Sequence, residues 1–246
     1  LELIITGGPA LYRDISLASE DDLRRGETVA FPIATLTLFV VFGTLVAALL
    51  PIAVGGGGVM VGLAIVFFVS HSVDMSVFAL NIVTLLGIGI GIDYSLFYTS
   101  RFQEELRIGK SVDSAVLSAQ SHAGKAILFS AVTSLIGLLS LVAFDVMMLR
   151  SVGIGAVAVI FAALLAALTL MPALLAILGH RVNRFRVGPN WAKRGIFWVP
   201  LSNWVMKRPW LVLIPTSTLL VLLAVPALSM RLGTVDATML PNSLES

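Results

Sequence analysis

The sequence predicts an all-α membrane protein, a polytopic bundle of six transmembrane helices. Three observations carry that prediction. Of the 246 residues, 58% are apolar and 12% are charged, about half the charged share of an ordinary soluble domain. Mean hydropathy is +1.00. The charges also leave long runs free of Asp, Glu, Lys and Arg, and a helix needs about 20 apolar residues to cross the hydrocarbon core. Six such runs argue against the interior helices of a large soluble protein. Cysteine is absent, which removes disulfides and thiolate metal sites.

The elements follow in order. Residues 1–28 carry Asp14, Glu20, Asp21, Asp22, Arg24, Arg25 and Glu27. The stretch from Leu1 to Thr6 reads as the edge of a strand, and 19–30 as a polar helix leading into the membrane. Leu1 rather than Met stands first and no signal peptide precedes the first apolar stretch. The sequence therefore reads as part of a longer chain, without that chain's own first membrane helix. No charged residue occurs between Glu27 and Asp74. Pro51 and the run Gly55 to Gly58 divide that stretch into spans at 29–50 and 53–71. A third span, 77–100, is interrupted only by Asp93. Lys125 and Asp145 bracket a fourth at 123–144. Arg150 and Arg181 bracket a fifth at 150–178, with Pro172 kinking its end. These five form a bundle over 29–179. After a linker at 180–208, Arg208 and Arg231 bracket a sixth span at 209–230, and 231–246 follows it.

Basic residues set the orientation. The loop 101–125 and the segment 180–208 hold eleven of the sixteen Lys and Arg, and 180–208 has no acid. The loops 72–76 and 145–150 hold only Arg150. An excess of Lys and Arg marks the cytoplasmic side, so loops 101–122 and 180–208 are expected inside and both termini outside. Trp191, Phe197, Trp198, Trp204 and Trp210 alternate with Lys193, Arg194, Lys207 and Arg208. Such rings and cations favour the headgroup layer, so this linker is expected to lie along the inner surface of the bilayer. Cations held against a membrane are not a nucleic-acid site.

Asp93 is the most informative residue. Of 14 acidic residues it alone lies inside an expected span. It precedes Arg101 by about eight residues, roughly 12 Å from the inner surface. An Asp at the centre of a span costs about 2.5–3.5 kcal/mol on insertion scales and normally faces a bundle interior, marking an ion or proton path. Asp93 is therefore expected to load and release a proton, with the phenol of Tyr94 beside it. Gly87, Gly89, Gly91 and Ser95 are expected to let another helix approach closely, Gly87 and Gly91 as a small-xxx-small pair. Ser130, Thr133 and Ser134 offer hydroxyls that relay a proton, bridge to Asp93, or bond back to their own backbone.

Other chemistry finds little support. Gly55 to Gly58 lacks the Lys-Ser/Thr of a phosphate loop, and nothing in the sequence reads as an enzyme. His71, His122 and His180 are too scattered for a metal motif and suit interfacial positions. Asp74 and Asp145 suit the outer interface. No cofactor is expected beyond protons as coupling ion.

The run Gly-Ile-Gly-Ile-Gly-Ile-Asp-Tyr-Ser-Leu-Phe, from Gly87 to Phe97, resembles the fourth membrane helix of the MMPL family, within the resistance-nodulation-division (RND) superfamily of exporters. Arg101-Phe102-Gln103-Glu104-Glu105 resembles the exit of that helix. Val29 to Pro32 resembles the beginning of the family's second helix, and Trp204-Val205-Met206-Lys207-Arg208-Pro209-Trp210 that of its seventh. Residues 1–28 and the stretch from Thr234 to Ser246, with Asp236 and Leu240-Pro241, resemble remnants of two extracytoplasmic α/β domains, the end of a porter-like domain and the start of a second.

The resemblance implies a proton-driven exporter in a bacterial cell membrane, moving hydrophobic or lipid-like substrates. It implies that Asp93 and Tyr94 meet a matching pair on the tenth helix. The partner would be a C-terminal half beyond this sequence, or a second copy. Two alternatives share this helix arrangement or ancestry: a lipid- or sterol-sensing-like membrane module, and an RND-type accessory subunit of protein export.

Overall fold

The structure, a computed structural model, describes residues 25–184, residue 27 excepted, and residues 198–229. They belong to two separate units, one within residues 20–188 and one containing 198–229.

The larger unit opens with α1 (Thr28–Phe42). It stops where Gly43 takes a φ of +63°, a left-handed conformation open to glycine. Thr44 is extended and donates its hydroxyl to the Val182 carbonyl at 3.0 Å. The next helix, α2 (Leu45–Ser70), then runs 26 residues without interruption. The chain thus breaks at Gly43 and not, as expected, at Pro51 and the glycine run, which all lie inside α2. One proline near the start of a helix removes one backbone hydrogen bond, too little to end 26 apolar residues. Of the glycine run, Gly55 and Gly58 are used for packing.

α3 (Phe78–Arg107) has 30 residues, about 45 Å at 1.5 Å each. It outruns the expected span 77–100 by nearly two turns. After the turn at Gly109 (φ +87°), Ser111 caps α4 (Val112–Ala119) by accepting from the Ser114 amide. A π-helical turn, Gln120–Gly124, joins α4 to α5 (Lys125–Val142). The expected span 123–144 is therefore the far end of a longer helix. α6 (Met147–Leu165), a second π turn (Ala166–Leu170) and α7 (Met171–Leu178) follow. Pro172 occupies the first turn of α7, where its missing N–H is best tolerated, and the preceding π turn takes up the register change. A 3₁₀ turn, Gly179–Asn183, ends the unit's described part.

The smaller unit holds α8 (Trp198–Lys207), α9 (Pro209–Ala224) and a 3₁₀ turn over Val225–Ser229. No residue of α9 is buried. Among the described residues, five helices are long and apolar enough to cross a membrane, and α1 is a shorter apolar helix. Six were expected. Ending at Gly43 leaves α1 about 22 Å long against a core of about 30 Å. The strand expected at the start, residues 185–197 of the aromatic linker 180–208 and the expected end domains lie outside the described residues.

α3 packs against both α2 and α6, which also touch each other, and α5 runs along α6. Small residues make these contacts. A Cβ built on Gly91 would fall 2.5 Å from the Gly55 Cα. One built on Gly87 would fall 2.5 Å and 2.6 Å from side-chain atoms of Val159 and Val59, and one on Gly58 would touch Ala163. Ala47, Ala48, Ala79, Ala156 and Ala167 are fully buried nearby. In lipid the gain comes from close van der Waals approach, because tails are as apolar as Leu. Large residues point outward instead: Met60, Phe68, Phe129 and Ile177 are each more than 70% exposed.

The α3–α4 elbow is fastened by polar contacts. Glu105, 1% exposed, accepts from Arg101 at 2.7 Å and Lys110 at 2.6 Å, and from the Ser118 hydroxyl at 2.7 Å. Tyr98 donates to Gln120 Oε1 at 2.7 Å, which ties the π turn to α3. Gln103 donates to Asn183 at 3.1 Å.

Two predictions follow from this packing. Gly91→Ala forces α2 and α3 apart and should cost about 1–3 kcal/mol, as overpacking does. Gly89→Ala, with nothing within 4 Å of its Cβ, should cost nothing; thermal unfolding in detergent compares them. In a double-mutant cycle, Glu105→Gln and Lys110→Met should each lower the unfolding midpoint. Together they should lower it by less than the sum, because both remove one ion pair.

Candidate functional site

α3 divides its circumference between two environments. Side chains spaced three and four apart share a helix face. On one face Gly87, Gly91, Tyr94, Ser95, Tyr98, Thr99, Phe102 and Glu105 are buried. The opposite face carries Asp93, Phe97 and Ser100, all exposed, and then Glu104. Small residues at 87 and 91 draw α2 and α6 onto the first face. That contact turns Asp93 away from them, so no described residue encloses its carboxylate. The sequence led us to expect Asp93 inside a bundle; within this segment it lies on the open side.

Tyr94, 9% exposed, is next to Asp93 but on the packed face of α3. Ser130, on α5, is exposed. Thr133 donates back to the Phe129 carbonyl at 2.8 Å, leaving its hydroxyl committed to its own helix. Ser134 is half-buried. Gly87 and Gly91 lie in the α2–α6 contact, and Gly89 faces open space. Ser95 is fully buried, as is Thr99 one turn on, and neither hydroxyl has a hydrogen-bond partner among the described residues.

Below Asp93, towards the basic elbow, lies a cleft of about 420 Å³. It is lined by Phe97, Ser100, Arg101 and Glu104 of α3 and by His122 and Ala123 of the π turn. The sequence reading placed His122 at an interface and gave Phe97 and Glu104 no role. The four-residue step from Asp93 to Phe97 was visible in the sequence. The π turn that brings His122 alongside was not. Among the described residues, no three His, Asp or Glu side chains converge as metal ligands.

Comparison with known proteins identifies the family. Residues 1–212 match the family model described as MMPL family. The chain is 36% identical over 238 residues to a "Probable transport protein MmpL11" of Mycobacterium leprae, covering 95% of this chain and 24% of the relative. It is 33% identical over 238 residues to a "Heme uptake protein MmpL11" of Mycobacterium tuberculosis (strain ATCC 25618 / H37Rv), covering 95% and 25%. It is also 34% identical over 270 residues to a "Trehalose monomycolate exporter MmpL3" of Mycolicibacterium smegmatis, covering 98% and 27%. The chain thus spans about a quarter of the length of these relatives. With its apolar helices, its small-residue helix contacts and a match over most of its length, this chain belongs to the MMPL family.

Proposed function

We propose that this segment is part of a proton-motive-force-driven transporter in a bacterial cell membrane that exports hydrophobic or lipid-like substrates, with Asp93 as its proton-coupling carboxyl. The observation that carries the reading is the placement of Asp93. It is mid-span on the open face of α3, beside a buried tyrosine. An ionised Asp facing acyl chains is costly, so this face is covered in the assembled protein. The cover is the remainder of the transporter or a second copy. The relatives support the cargo class: one is named an exporter of trehalose monomycolate, and such a molecule is amphiphilic.

In this mechanism Asp93 takes a proton from the outer side, and neutralisation weakens its attraction to polar partners on the covering helices. Tyr94 donates to the carboxylate or its partner; Ser130 and Ser134, one turn apart on α5, are further hydroxyls for the relay. The helices shift, and release to the cytoplasm resets them. The basic elbow and the segment around Lys207 and Arg208 lie inside, by the excess of Lys and Arg. Each proton crossing 100 mV supplies about 2.3 kcal/mol, enough to rebalance states a few kcal/mol apart. A second reading, uptake of an amphiphile, is favoured by the name of the M. tuberculosis relative.

In proteoliposomes, the complete protein with Asp93→Asn should fold but lose transport driven by a proton gradient. Unchanged gradient-dependent transport would refute the role of Asp93 and favour a lipid-sensing module. The side on which a labelled lipid accumulates decides between export and uptake.

A further inference from the structure

We infer that the cleft beneath Asp93 is the vestibule through which its proton leaves to the cytoplasm, with Phe97 as the apolar plug above it and His122 and Glu104 as the groups that receive the proton. This rests on the proton-coupling role of Asp93 proposed above.

Position is the first support. Asp93, Phe97, Ser100 and Glu104 follow at steps of four, three and four, one helical stripe. The stripe covers about 16 Å along α3. It begins mid-span and ends on the basic elbow, one residue before the buried Glu105. The cleft occupies its lower part, with Phe97 at one boundary and Glu104 at the other. Phe97 is thus the one ring on this stripe between Asp93 and the lower part of the cleft, and it is half exposed, free to change rotamer.

Chemistry is the second. Nδ1 of His122 lies 2.8 Å from the Ser118 carbonyl. A carbonyl only accepts, so Nδ1 carries the hydrogen and Nε2 of the neutral ring is the base. Nδ1 is also 3.1 Å from the Ser121 hydroxyl, which itself donates to the Ser118 carbonyl at 2.9 Å. The ring is therefore held in one tautomer at the cleft wall. Imidazole exchanges protons rapidly near neutral pH.

Charge is the third. Arg101 lines the same cleft and pairs with Glu105. Arg107 pairs with Glu104 at 2.9 Å, and Lys125 follows His122 in the chain. These side chains keep the lower end of the stripe polar, so a proton arriving at His122 or Glu104 is handed on to water on that side. No bond other than O–H and N–H is made or broken: the proton moves from the Asp93 carboxyl through water to Nε2 or the Glu104 carboxylate, then to bulk water.

The test uses the complete protein, with any cysteines outside this segment replaced; the segment itself has none. Single cysteines at Ser100 and Asp93 are exposed to a charged, membrane-impermeant thiol reagent on the cytoplasmic side. Ser100→Cys should react and Asp93→Cys should be protected. Adding Phe97→Ala should speed labelling of Asp93→Cys on the order of tenfold. An unreactive Ser100→Cys, or no effect of Phe97→Ala, overturns the inference. In proteoliposomes with a pH dye, Phe97→Ala should raise substrate-free proton leak severalfold, and Asp93→Asn should abolish that leak. His122→Leu combined with Glu104→Gln should slow gradient-driven transport on the order of tenfold. If Asp93→Asn abolishes coupling but these variants behave as wild type, the exit path is wrong and the role of Asp93 stands. If Asp93→Asn leaves coupling intact, that role itself is wrong.

Discussion

The close contact of α3 with α2, at Gly91 against Gly55, governs the arrangement of everything else. The two backbones can meet there because Gly91 has no Cβ; one added would fall 2.5 Å from Gly55 Cα, whereas one on Gly55 would come no nearer than 3.4 Å to α3. In a membrane such van der Waals approach replaces the hydrophobic drive of a soluble core. It also fixes the rotation of α3. Once residues 87 and 91 face α2 and α6, the period of the helix sends Asp93 to the far side and keeps Tyr94 on the buried side.

That rotation separates scaffold from chemistry along one helix. The packed face is continuous from Gly87 to Glu105 and is closed at its C-terminal end by an ion-paired, buried carboxylate. Glu105 is surrounded by Arg101, Lys110 and Ser118, so removing one partner leaves the others facing an uncompensated group. Tyr98 and Gln120 tie the π turn to the same face. The open face carries Asp93, Phe97, Ser100 and Glu104 and has no comparable restraint. A rigid side and a free side on the same helix suit a device in which a change of charge must move neighbouring elements without dissolving the bundle. π turns recur at functional positions in helices, and here two of them flank the bundle's central contacts.

Much of this was legible in the sequence. Charge-free runs located α2, α3, α5, α6 and α9, because hydropathy over a span's length is a direct consequence of the bilayer's thickness. The Gly87–Gly91 spacing indicated close helix approach. Boundaries were less legible. Pro51 and the glycines at 55–58 look like a break in water, yet in an apolar helix they serve as a packing surface, and the break fell at Gly43, where a left-handed residue was needed. The rotation of α3 was not legible either. A mid-span acid was expected to face protein, but which helices face it depends on rotation; within this segment the small-residue face takes α2 and α6 and leaves Asp93 on the other side. The surroundings of Glu105 and His122 were not legible, because Ser118 comes from α4 and His122 sits in a π turn, neither of which leaves a simple period in the sequence.

The central claim is that Asp93 changes protonation state while shielded from lipid. Infrared difference spectroscopy on the complete protein in liposomes tests it most directly, by following the carboxylic-acid carbonyl band as a proton gradient is applied. The account predicts a band that appears with the gradient and disappears in Asp93→Asn. A spectrum unchanged by the gradient, or a band that persists in Asp93→Asn, would contradict it.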